Sequence, residues 1–167
     1  MPQWVASGAD RREAVERLLD GLAGGDDAVA ISASVADLHR RHNTFPGEVY
    51  LRVAADALDL AGAGPEDPIP YEGLLETSLP ECGFRGRENR KIQFAVLAAS
   101  SLHGGLEADL LDEVIWWHTD DFWRYGLLAA VAIIRSCTAR SGETLPLFVG
   151  RLAERHGIAL DTVPPDA

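Results

Sequence analysis

Apolar residues recur every three to four positions along most of the chain, and this spacing predicts α-helices. In the first such segment, from Ala9 to Ala23, Arg, Glu and Asp separate the apolar positions. An apolar stripe with this period lies on one face of a helix and is buried when that face packs against another element. Gly24-Gly25 ends the helix, since glycine readily takes the left-handed conformation found after helix C-termini.

The same pattern predicts further helices after each proline or glycine turn. Asp26 or Asp27 can cap a second helix that runs to about Arg41, because a carboxylate accepts hydrogen bonds from the free N–H groups of a first turn. No stretch alternates apolar and polar residues between hairpin turns, so no strand is required. We therefore expect an all-α fold of seven or eight helices. The others cover about 48–60, 71–77, 88–102, 107–117, 121–139 and 145–156.

Two irregular regions interrupt this pattern. Residues 62–70 contain three prolines and two glycines, which remove backbone donors and raise the entropy lost on ordering, so we expect a linker or an exposed loop there. Pro80, Gly83 and Gly86 mark a second irregular stretch. We interpret 1–167 as one helical domain with an irregular insertion at 62–86, where a partner or ligand could bind, and with a flexible tail from 158.

Charge and composition exclude several classes of protein. The chain carries a formal charge of −11, with 47% hydrophobic and 25% charged residues, which is ordinary for a soluble domain except for its acidity. An acidic surface repels phosphate backbones, so we expect no nucleic-acid partner. The one basic stretch holds Arg85, Arg87, Arg90 and Lys91 and is interrupted by Glu88. A solvated loop and helix N-terminus explain it better than a phosphate or RNA site does. The longest apolar run, 126–134, is far below the roughly 20 residues of a membrane span.

Cysteine usage and the N-terminus favour a cytoplasmic location. Cys82 and Cys137 have neither zinc-ligand spacing nor enough partners for a disulfide framework, so we expect reduced thiols. Charged residues at Asp10-Arg11-Arg12-Glu13 occupy the place of a signal peptide's apolar run. The chain has a single lysine beside many arginines, which indicates a GC-rich, bacterial genome.

Three apolar segments resemble one another and suggest a repeat. They are Leu51-Arg52-Val53-Ala54-Ala55, Ile92-Gln93-Phe94-Ala95-Val96 and Leu127-Leu128-Ala129-Ala130-Val131, at offsets of 41 and 35 residues. Two-helix units that cannot bury their own faces stack into solenoids, with a period of about 40–47 residues in HEAT and armadillo proteins. From 46 to 157 the chain resembles HEAT-like helical repeats in architecture, with an irregular bundle as the alternative.

This resemblance implies a scaffold that presents one curved helical face to a protein partner. The metal-dependent hydroxylases of the group carry His-Glu dipeptides in successive repeats, which this chain lacks. Members that bind damaged DNA present basic concave surfaces, and the acidity of this chain disfavours such a surface. Neither activity is therefore expected here.

Aromatic residues concentrate where the predicted helices 107–117 and 121–139 meet. Trp and Tyr combine large apolar area with one polar group, so they fill helix junctions or form binding surfaces. Packing explains most such rings, yet this junction is the strongest candidate for binding a partner. The candidate residues are Trp116, Trp117, His118, Asp120, Asp121, Trp123, Arg124 and Tyr125.

The titratable residues of this junction and of other parts of the chain have structural explanations. His118 could act as a base oriented by Asp120 or Asp121, but both carboxylates also fit the cap and first turn of the next helix, where Arg124 could pair with them. His39 and His42 share a helical face, and with Glu48 they could bind a metal, although a solvated helix end is the simpler interpretation. Cys82 or Cys137 would need His103 or His118 nearby to act as a nucleophile.

We therefore predict a non-catalytic interaction module that binds a protein partner or its own copy, with no metal or cofactor. The alternative is an enzyme or small-ligand binder with a pocket between helices, lined by Trp117, His118, Asp121 and Arg124, with Arg85 or Arg87 added from the insertion. A third possibility is a regulatory or toxin-immunity protein whose acidic face covers a basic partner.

Overall fold

The computed structural model describes residues 8–41, 48–64, 67–69, 73–82, 87–104 and 122–160. Within these ranges the chain forms seven α-helices and no strand, with one isolated bridge between Gly64 and Asp67. The predicted all-α class is confirmed. The helices are α1 (Gly8–Ala23), α2 (Ala28–Arg41), α3 (Glu48–Leu60), α4 (Leu74–Ser78), α5 (Arg87–His103), α6 (Phe122–Ser141) and α7 (Leu145–Arg155).

Local signals account for the helix ends. Asp27 accepts the Ala30 N–H at 2.7 Å and caps α2, and the Thr144 hydroxyl accepts the Leu147 N–H at the start of α7. Gly25 and Gly142 have φ of 82° and 73°, the left-handed conformation that ends a helix. The helix predicted at 107–117 lies outside the described residues.

Helix α6 forms the centre of the core. Its eight residues 127–134 are at most 2% exposed, and it packs against α2, α3, α4, α5 and α7. Helices α3 and α5 also pack against each other. Five of the eight residues at 127–134 have large aliphatic side chains, and burying one such side chain contributes about 1.5–3 kcal/mol.

The three similar segments lie in α3, α5 and α6, and each of these helices contacts the other two. Helix α1 packs on α2 and also on α7, so the first described helix meets the last. Contact between the first and last described helices is typical of a bundle, whereas in an open solenoid a repeat contacts only its neighbours. The packing is compatible with either arrangement, and the repeat relationship stays a prediction.

The described part of 62–82 packs on the core. Ile69 is 1% exposed, and Ala63, Leu74, Leu75 and Leu79 are also buried, although a linker or exposed loop was expected over 62–70. Arg140 of α6 donates to the Asp67 backbone carbonyl at 2.7 Å and to its carboxylate, and Arg135 donates to the Ser78 carbonyl at 2.7 Å. Two arginines of the central helix thus bind this segment to the core.

At the other end of the chain, Ile158 is buried and 161–167 lies outside the described residues.

Glu81 connects this segment with two helices. Its carboxylate accepts hydrogen bonds from Arg135 and from the Ala28 N–H at 3.3 Å, at the N-terminus of α2. Partial burial raises the pKa of Glu81, but the bonds from Arg135 and from backbone N–H groups outweigh burial. Its pKa therefore lies below the ordinary value.

Replacing Glu81 by Gln should lower the free energy of unfolding at pH 7 by about 1 kcal/mol, since a charge-assisted hydrogen bond is lost. A depressed folded-state pKa stabilises the protein above the unfolded value and loses that effect as pH falls through the folded value. The difference from wild type should therefore shrink below about pH 4. Urea unfolding across this pH range measures the difference. The control is Glu76→Gln, which replaces an exposed carboxylate of α4. Equal effects of the two variants would contradict the assignment.

Close approach of α1 and α2 requires glycine at position 21. A Cβ built there would lie 2.8 Å from Ile31 Cγ1, and Ile31 is 1% exposed. Because Cγ1 lies close to the backbone in a packed side chain, it has little room to move.

Gly21→Ala should lower the free energy of unfolding by about 1 kcal/mol. Overpacking costs about 1–3 kcal/mol and exceeds the gain of about 1 kcal/mol in helix propensity. Gly64→Ala is the control for the steric contact, since it lies outside the helices and a Cβ there meets nothing within 4 Å; it should change stability little. Thermal and urea unfolding of both variants test this, and a stabilised Gly21→Ala protein would show that the contact is not tight.

Candidate functional site

The described part of the aromatic candidate region is the first turn of α6. It contains Trp123, Arg124 and Tyr125, whereas Trp116, Trp117, His118, Asp120 and Asp121 lie outside the described residues. The three described side chains have different surroundings. Trp123 contacts α2, while Arg124 and Tyr125 contact α5.

Trp123 belongs to a cluster of three rings from three helices. It stacks on His39 of α2 with a centroid distance of 4.2 Å and an interplanar angle of 6°, and it is half-buried. His39 Nε2 lies 2.6 Å from the Tyr50 hydroxyl of α3, within hydrogen-bonding distance. His39 is 6% exposed and Tyr50 is fully buried. This cluster joins the C-terminal half of α2 to α3 and α6.

The expectation of a solvated helix end at His39 is therefore wrong. His39 follows Val35 by four residues and extends the apolar stripe of α2 onto the core, where Trp123 and Tyr50 cover it. The four-residue spacing from Val35 was the sequence signal for the burial of His39. An exposed histidine can have the same spacing, so the signal does not decide burial. The second histidine of the suggested metal pair, His42, lies outside the described residues.

Burial sets the protonation of the tyrosine in this cluster. It raises the pKa of Tyr50 far above the ordinary value near 10, against a small opposing effect of Arg17. The hydroxyl therefore stays neutral at physiological pH and serves as a hydrogen-bonding group. The cluster is suited to holding three helices together.

Tyr50→Phe should lower the free energy of unfolding by about 1 kcal/mol, because the variant keeps the ring and loses only the hydrogen bond with His39. Tyr125→Phe is the control, since it keeps the ring that Lys91 and Arg124 face. Urea unfolding followed by tryptophan fluorescence measures both. An unchanged Tyr50→Phe protein would show that the 2.6 Å contact contributes nothing.

The starts of α5 and α6 form one surface. Arg124 Nη2 lies 3.8 Å from Glu88 Oε1, and Lys91 Nζ lies 5.1 Å from the centroid of the Tyr125 ring. The Arg124 guanidinium carbon lies 5.6 Å from the same centroid, and Tyr125 is 6% exposed. Cations at such distances over an aromatic face are attracted by its quadrupole. We call this the α5–α6 surface and define it by Glu88, Arg90, Lys91, Trp123 and Arg124.

This surface brings together residues from two stretches that lie apart in the sequence: Glu88, Arg90 and Lys91 of the basic stretch, and Trp123 and Arg124 of the aromatic one. Arg124 was expected to pair with Asp120 or Asp121, which lie outside the described residues, and its described ionic partner is Glu88. Its side chain is 39% exposed, Lys91 is half-buried and Arg90 is exposed. The exposed charges are thus predominantly basic on an acidic protein.

Of the residues suggested for a pocket, Arg124 and Arg87, the first residue of α5, belong to the described chain; the others, Trp117, His118, Asp121 and Arg85, lie outside it. An open depression of about 180 Å³ lies elsewhere, between α1 and residues 159–160, and is lined by Glu13, Glu16, Arg17, Asp20, Ala159 and Leu160. Arg17 there donates to Glu13 and to Asp37, each at 2.7 Å, and to the Ser34 carbonyl at 2.6 Å. Burial lowers the pKa of Arg17, but its carboxylate partners outweigh burial and raise it. These bonds tie α1 to α2.

The two thiols are protonated at neutral pH. Burial, with a contribution from the Glu81 charge, raises the pKa of Cys82 to about 11, and burial raises that of Cys137 to about 12. A nucleophilic cysteine needs the thiolate form. His103, one suggested partner, faces a carboxylate instead, with Nε2 3.8 Å from Asp59.

In the described ranges, no group of three or more His, Cys, Asp or Glu side chains could hold a metal ion. None of the helices placed by the structure is long and apolar enough to cross a membrane. No family model, curated protein or solved structure matches the chain.

Proposed function

We propose that this protein is a non-catalytic helical interaction module that binds a protein partner, or a second copy, through the α5–α6 surface. One observation carries the proposal: the fold puts the start of the aromatic helix against the basic start of α5, with Arg124 at Glu88 and Lys91 at Tyr125. Aromatic and arginine side chains are the residues most enriched among those that dominate binding energy.

The packing beneath this surface supports the proposal. Tyr125 is buried beneath Lys91 and Arg124, and Trp123 is anchored on His39, so the exposed groups project from a packed base. A preorganised surface loses less side-chain entropy on binding than a mobile one. The sequence pattern alone adds five neighbouring residues to the proposed site: Trp116, Trp117, His118, Asp120 and Asp121.

The protein's acidity restricts the partner. With a formal charge of −11, the molecule repels large polyanions, and only a local basic surface can attract an acidic segment. We therefore favour a protein partner over nucleic acid. The same proposal includes a cytoplasmic location, expected from the cysteines and the N-terminus, and a bacterial origin, expected from the scarcity of lysine. Both thiols are free in the structure.

Reversing the charge of the surface tests the proposal. The double variant Lys91→Glu/Arg124→Glu should lose the proteins that co-purify with wild type from the native host, or lose self-association, by about tenfold or more. Arg40→Glu, at an exposed position of α2, is the matched control and should retain them. Circular dichroism and thermal unfolding establish that each variant is folded. Retention of every interaction by the folded double variant would reject this surface.

A further inference from the structure

Two exposed apolar side chains stand out on the described surface, and charges of opposite sign accompany them. Val29 in the first turn of α2 and Leu97 in α5 are each 57% exposed. Exposed Asp26 and Asp27 directly precede the helix that carries Val29, whereas exposed Arg90 lies two helical turns before Leu97. We call Asp26, Asp27 and Val29 the acidic α2 patch, and Arg90 and Leu97 the basic α5 patch.

The basic α5 patch lies on one face of its helix. Residues seven apart point in nearly the same direction, so Arg90 and Leu97 share a face, and the exposed residues Gln93 and Ser101 flank them on it. The opposite face, with Ile92, Ala95 and Ala99, is buried in the core. Arg90 also belongs to the α5–α6 surface, so the two surfaces share this residue.

We propose that these two patches bind each other between copies of this chain. The partner is a second copy, because one molecule carries both complementary halves: carboxylates next to an exposed valine, and a guanidinium two turns along the same helix face from an exposed leucine. This inference rests on the proposed function and specifies its partner as the chain itself.

Electrostatics and area set the strength of this association. The net charge of −11 makes copies repel at long range, but at about 0.15 M salt charges farther apart than about 8 Å are screened, while charges in contact still attract. Stable interfaces bury about 800 Å² on each side, more than two small patches supply. Association is therefore weak and concentration-dependent. If both patches are used around a two-fold axis, association stops at a dimer; a head-to-tail contact instead gives a closed ring or an open chain.

Charge reversal in each patch, alone and mixed, tests the proposal. Arg90→Glu and Asp26→Arg should each weaken self-association by about tenfold in sedimentation equilibrium. An equimolar mixture of the two variants should recover it, because the carboxylate introduced at position 90 of one copy faces the guanidinium introduced at position 26 of the other. This recovery is expected for a dimer and for an open chain. Asp27 is left unchanged because it caps α2.

Matched controls separate the patches from a general effect of charge. Arg40→Glu and Glu154→Arg make charge reversals of the same two signs at other exposed positions and should leave association unchanged. Val29→Ser and Leu97→Ser, which alter no charge, should each weaken it. Thermal unfolding confirms that every variant is folded.

A wild-type protein that stays monomeric at all concentrations would overturn the inference, as would a mixture no tighter than either variant alone. The proposed function fails separately. If native partners still depend on Lys91 and Arg124 while the chain is monomeric, the interaction module stands and only self-association is rejected.

Discussion

Complete burial of the middle of α6 is the constraint on which the rest of the structure depends. Residues 127–134 are apolar around the whole helix, and such a helix can be satisfied only when other elements surround it. Helices α2, α3, α4, α5 and α7 all pack on it, and α1 joins through α2, α3 and α7. The helix order in space therefore follows from the need to enclose one segment.

Charged side chains orient these elements more than they stabilise them. Arg135 and Arg140 reach from the central helix to backbone carbonyls of 62–82, and Arg17 links α1 to α2. At another edge, Arg155 Nη2 lies 2.7 Å from the Asp59 carboxylate of α3, which ties the end of α7 to that helix. Exposed ion pairs contribute only about 0–1 kcal/mol each, so these links add little stability beside the buried apolar core.

The aromatic junction illustrates how packing and binding share residues. Trp123 contributes to the ring cluster with His39 and Tyr50, so part of the aromatic density has a structural role, as the usual burial of tryptophan suggests. Arg124 and Lys91 lie over the buried Tyr125 and keep their charges at the surface. A packed aromatic base with exposed cations can present a binding surface without an open pocket.

Sequence alone determined where the described helices lie, which faces are buried and how most helices end. Helical period, caps and glycine turns act over a few residues, so the sequence predicts them locally, as with the apolar stripe of α1 and the Asp27 cap of α2. Only the tertiary structure decided that His39 is covered by Trp123, that Arg124 meets Glu88, and that Arg135 and Arg140 hold 62–82. These contacts join residues from 36 to 84 positions apart. They depend on how helices cross, and the apolar period of each helix carries no information about its neighbour.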